Sequence, residues 1–85
     1  MKELKWSAEK SAWLKATRGL SFEEITQGRL VKVRQNPARP DQEVLLYEIE
    51  GYIWVVPFVE GESVWFLKTA YPNRKYTRKY NEDQL

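Results

Sequence analysis

EVLLYEIEGYIWVVPFVE, residues 43–60, decides the fold. The runs 43–50 and 52–60 are rich in the β-branched and aromatic side chains that suit a pleated, half-buried surface. Glu50-Gly51 between them reads as a turn. A connection this short makes the two strands antiparallel neighbours. The second run is the more apolar, which places it at the centre of a sheet. Pro57 lies inside it and has no N–H for a ladder, so it marks a bulge or a stretch with one side unpaired.

The pattern extends in both directions. After a turn at Gly61-Glu62, SVWFLKTAY (63–71) reads as a further strand. Before residue 43, RLVKVRQ (29–35) alternates and directs Lys32 and Arg34 to water, as an edge strand does. NPARPDQ (36–42) reads as a loop set by Pro37 and Pro40. Two helices precede these strands. Ser7 can cap the first, over 7–18, and Gly19 suits its left-handed end. In LSFEEI, Ser21 and Glu24 form the reciprocal pair of a capping box, with Leu20 and Ile25 as the accompanying staple, so a short helix runs over 22–27. Pro72 fits an early helical position, where its missing N–H costs nothing. Residues 73–80 then form about two turns of a last helix. The order predicts one α+β domain over 1–85: two N-terminal helices, a four-stranded antiparallel sheet and a short C-terminal helix, with the helices on one face.

The totals exclude several classes. The chain has 85 residues, no Cys and no His. That removes disulfides, thiolate chemistry and His-based triads, and leaves no ordinary ligand set for structural zinc. No apolar run approaches the ~20 residues a membrane-spanning helix needs. The N-terminus MKELKWSAEK lacks the apolar stretch of a signal peptide. The expected location is the cytoplasm, and no cofactor or metal is expected.

The net charge of +2 is too small to imply a polyanionic partner, but the charge is segregated. Lys68, Arg74, Lys75, Arg78 and Lys79 fall between residues 66 and 80 with no acid among them, and Tyr71 and Tyr76 are interleaved. Cations with aromatic faces are the ingredients of RNA and single-strand recognition. Such a run is also the ordinary composition of a solvated helix face. Lys32, Arg34 and Arg39 either extend this basic surface or guard a strand edge. The four Trp read as core.

Two stretches carry a resemblance. GLSFEEI (19–25), within LKWSAEKSAWLKATRGLSFEEI, resembles the Gly-Leu-Ser-Phe-Glu-Glu signature of BrnT-type toxins. FLKTAYPNRKYTRKY (66–80) resembles their final strand and basic helix, with Arg74, Lys75, Tyr76, Thr77, Arg78 and Lys79 in the basic motif. Thr17-Arg18-Gly19 stands where the family carries Lys-His-Gly. The family's strand before the first helix can come only from KELKW (2–6). The resemblance implies a RelE-like fold and a metal-independent ribonuclease toxin of a type II toxin–antitoxin pair. Its partners would be RNA, including ribosome-bound mRNA, and an antitoxin with a DNA-binding domain. The alternative is a non-catalytic RNA- or protein-binding relative.

Cleavage of this kind aligns the 2′-OH on its own phosphate and needs fixed positive charge where negative charge develops. Arg suits that role through its bidentate fork. Arg74 and Arg78 are therefore assigned to phosphate, and Lys68 to phosphate or the leaving group. Tyr71 or Tyr76 is assigned to stacking or proton transfer. Lys75, Lys79, Tyr76 and Arg18 complete the expected RNA contacts. With no His, catalysis would rest on positioning and charge, or on a Lys or Tyr of strongly lowered pKa.

Overall fold

Glu50 and Gly51 both adopt positive φ, 53° and 83°, in the computed structural model, which describes residues 2–36 and 38–85. Two positive φ values in a two-residue hairpin are the signature of a type I′ turn, whose twist matches that of its strands. The turn joins β3 (Arg39–Ile49) to β4 (Tyr52–Glu60), paired antiparallel from Glu43↔Phe58 to Ile49↔Tyr52. Around this hairpin lie β1 (Glu3–Lys5), α1 (Ala8–Arg18), α2 (Phe22–Thr26), β2 (Arg29–Asn36), β5 (Val64–Leu67), β6 (Tyr71–Pro72) and α3 (Arg74–Asn81). The sheet order is β1-β5-β4-β3-β2, with β6 pairing β4 beyond the end of β5.

The class is α+β, but the expected RelE-like arrangement of two N-terminal helices on a four-stranded antiparallel sheet is overturned. The sheet has six strands and is mixed, because β1 pairs parallel with β5 through Glu3↔Val64 and Lys5↔Phe66. The single strand expected over 63–71 is two short strands separated by residues 68–70. The loop expected over 36–42 is much shorter: β2 runs to Asn36 and β3 begins at Arg39. Pro37, half of that expectation, lies outside the described residues. Pro72 belongs to β6, and Asn73 caps α3 by accepting a bond from Tyr76 N–H.

The helices also lie on both faces rather than one. Leu45, Tyr47, Trp54, Val56, Phe58 and Leu67 point to the first face and pack with Leu14 of α1 and Phe22 and Ile25 of α2. Val44, Leu46, Ile53 and Val55 point to the second and pack with Tyr76 and Tyr80 of α3. Period-two alternation along β3 and β4 makes this division unavoidable, since consecutive apolar residues must supply both faces.

Pro57 sits where the ladder of β4 changes partner. Its carbonyl accepts from Lys68 N–H at 2.9 Å. In an antiparallel strand the N–H and C=O of one residue point to the same neighbour. The missing N–H therefore faces the 68–70 break between β5 and β6, where no ladder bond is lost. This is the unpaired side that the sequence asks for.

Local capping is as the sequence reads. Ser7 Oγ accepts from Lys10 N–H, and Gly19 ends α1 at φ 95°. Both halves of the Ser21–Glu24 capping box are present. A second device joins α1 to α2. The buried Ser11 hydroxyl donates to Glu23 and accepts from Phe22 N–H. Trp6 Nε1 donates to the same carboxylate. Bonds from Ser11, its own backbone and Trp6 hold the Glu23 carboxyl below the usual range.

Candidate nucleic-acid interface

Besides the packing of Tyr76 and Tyr80, α3 is tied to the sheet by a bond from Asn73 N–H to Ile53 C=O at 2.9 Å and by one buried hydroxyl. Thr77 Oγ1 accepts from Ile53 N–H at 2.8 Å and donates to Asn73 C=O at 2.7 Å. Replacing Thr77 with Val leaves Ile53 N–H buried and unpaired, which costs about 1–3 kcal/mol. Urea denaturation should show that loss in Thr77→Val, while Thr77→Ser retains most of the stability. Equal stability of Thr77→Val and wild type would mean the staple holds nothing.

With Tyr76, Thr77 and Tyr80 turned to the sheet, Lys75 and Lys79 project along one flank of α3. Arg74 and Arg78 lie roughly 100° further round, at 3.6 residues per turn. Opposite the Lys75 flank stands β2. The register pairs Arg34 with Val44 and Lys32 with Leu46, so both cations share the second face with α3. The Arg34 guanidinium lies 5.5 Å from the Tyr76 ring centre, and Arg29 lies 5.9 Å from that of Tyr80. Each arginine thus bridges the strand to the helix through an aromatic face.

Between α3 and the β2–β3 hairpin runs a groove of about 330 Å3. It is lined by Val44 and Val55, by Tyr71 of β6, by Lys75, Tyr76 and Lys79 of α3, and by Arg34 and Asn36 of β2. Among the described residues that line it none is acidic. Among the described residues the ion pairs are Lys2–Glu60 and Lys15–Glu24, so none of Arg34, Lys75 and Lys79 is neutralised by a carboxylate. No family model matches the chain, and no curated protein or solved structure matches it.

The groove gathers part of the expected site. Tyr71, Lys75, Tyr76 and Lys79 come together there. Arg74 and Arg78 are exposed on the outer flank of α3 and do not line it. Lys68 is the first residue of the break between β5 and β6, with its ammonium 5.4 Å from the Phe66 ring centre. Arg18 is committed elsewhere. Its guanidinium donates to Ala70 C=O at 2.7 Å and Thr69 Oγ1 at 3.2 Å, and lies against Trp13. That contact ties the end of α1 to the segment between β5 and β6.

The structure adds Arg34, which the sequence leaves undecided between a binding role and an edge guard, and Asn36 and Asn73. Asn36 is occupied in shaping the hairpin, donating to Gln42 and accepting from Ala38 N–H. A helix cap at Asn73 was available from sequence, because Asn is among the best capping residues. No helix among the described residues is long and apolar enough to cross a membrane.

Proposed function

We propose that the protein binds single-stranded RNA in the groove between α3 and the β2–β3 hairpin. The observation that carries this reading is the convergence of Arg34, Lys75 and Lys79, in no ion pair among the described residues, in one groove with Tyr71 and Tyr76. Cations suit phosphates, and tyrosine rings offer stacking surfaces at low conformational cost. A duplex would present its bases stacked inside, out of reach of these rings; an unstacked strand would not.

The ribonuclease-toxin reading, with a DNA-binding antitoxin as partner and the cytoplasm as its location, is proposed on the same groove. It draws on the BrnT resemblance and on β1, which forms where that resemblance asks for a strand. In this reading Lys75 and Arg34 stabilise the phosphorane, and the Tyr71 hydroxyl, which makes no hydrogen bond among the described residues, is the proton-transfer group.

A salt titration tests binding. With three phosphates held, log K for a short labelled oligonucleotide should fall against log salt with a slope of about −2, at ~0.7 per phosphate. A slope near zero would remove the RNA reading. Gel analysis of the same RNA after incubation separates binding alone from cleavage, and growth arrest on induced expression in bacteria tests the toxin reading.

A further inference from the structure

The second face of the sheet continues past the groove into a patch that α3 does not cover. Trp65 and Leu67 pack into the first core, so Phe66 between them points to the second face. Its partner on β4, Val59, points the same way. Phe66 is 38% exposed and Val59 51%. Two cations accompany the ring. Lys68 has its ammonium over it, and Lys5, opposite Phe66 in the β1–β5 register, shares the face. Glu3, two residues along β1, is an acid on the same face, and Asp41, Glu43 and Glu60, the last paired with Lys2, line a pocket that reaches Val59.

We propose that Phe66 is a base-stacking subsite for single-stranded RNA that leaves the β2/α3 groove, with Lys68 and Lys5 meeting the phosphates on either side. The proposal rests on the RNA reading of the groove and extends its ligand to a longer strand. Two observations support it. One is continuity: Val55, which lines the groove, and Val59 beside Phe66 lie on the same face of β4, four residues apart. At ~3.3 Å per residue that separation is about 13 Å. It accommodates roughly four nucleotides at the ~3.4 Å spacing of a stacked strand. The other is chemistry. An exposed phenyl ring flanked by lysines on an open sheet face offers a π-surface to any base and charge to its phosphates. Lys68 can move from the ring to a phosphate without any change of backbone, freeing the ring face it now shields.

The test compares fluorescence anisotropy of labelled oligoadenylates of about four and about ten nucleotides. Wild type is set beside Phe66→Leu, which keeps apolar bulk but removes the ring, and Phe66→Trp, which restores a stacking surface. Phe66→Leu should weaken the longer oligonucleotide roughly tenfold, as expected for loss of one base–aromatic stack, and leave the shorter one unchanged. Phe66→Trp should recover the longer one. If Phe66→Leu binds the longer oligonucleotide as wild type does, the subsite is overturned and the groove reading survives. If wild type shows no salt-dependent binding of either oligonucleotide, both are overturned.

Discussion

Replacing Arg34, Lys75 and Lys79 together with Ala should lower RNA affinity by about a hundred- to a thousandfold. A hydrogen bond to a charged group contributes ~1.5–3 kcal/mol. Three at the lower end make about 4.5 kcal/mol, or three decades in Kd. Neighbouring contacts share partners and fall short of additivity, which sets the lower bound. The decisive comparison is Arg74→Ala/Arg78→Ala. Those side chains are exposed on the outer flank of α3 and do not line the groove. Their removal reduces the general field, so affinity should change by only a few-fold at physiological salt, where screening is strong. Anisotropy titrations on the triple and double variants, with circular dichroism to confirm folding, check both. If the double variant loses binding and the triple variant keeps it, the ligand lies on the outer flank and the groove is not the site.

The second large effect concerns stability. Phe22 is fully buried, packs with Leu14 and Leu45 in the first core, and has the Trp6 ring centre 5.8 Å from its own. Phe22→Ala should destabilise the fold by about 3–5 kcal/mol, the loss of transfer energy plus the cavity left behind. Domains hold ~0.05–0.15 kcal/mol per residue, so a chain of 85 residues has roughly 4–13 kcal/mol in all. The variant therefore sits near the edge of folding. Phe22→Leu, which keeps most of the volume, should cost much less, about 1.5 kcal/mol. Urea midpoints of the two variants and wild type give the comparison. A loss below 1 kcal/mol for Phe22→Ala would mean α2 does not seal the first core.

The parts of the fold that were legible in the sequence are those set by neighbours along the chain. Glu50-Gly51, the Ser21–Glu24 box, Ser7 and Gly19 each act within a few residues, and β4 matches its expected limits. Of the two readings Pro57 allows, a bulge or a stretch with one side unpaired, the structure shows the second. What escaped depends on distant partners. β1 has three residues and pairs with residues about sixty positions away, so no local period reveals it. The break at 68–70 follows from how β4 divides its edge between β5 and β6, which the apolar run 64–67 does not announce.

The placement of α3 could have been found. VLLY (44–47) and IWVVPF (53–58) are unbroken apolar runs, and all of these residues are buried. A sheet with one wet face alternates; runs like these belong to strands covered on both sides. The same oversight keeps β2 out of the expected site. With every helix placed on one face, the cations of β2 and those of α3 could not be seen to face each other. Arg74 and Arg78 are then favoured because arginine suits phosphate, whereas the tyrosines at 76 and 80 fix which flank of α3 meets the strand.

The pairing of β1 with β5 also sets the order in which a nascent chain can complete itself. α1 and α2 leave the ribosome before any strand of the meander, yet Leu14, Phe22 and Ile25 find their partners on β3, β4 and β5. Neither helix is long enough to persist alone in water, at 11 and 5 residues. During synthesis the first third of the protein is thus an unsatisfied apolar segment that must wait for residues 45–67 to emerge. The parallel pair that fixes the N-terminus comes later than the hairpins, because it closes the longest loop in the sheet.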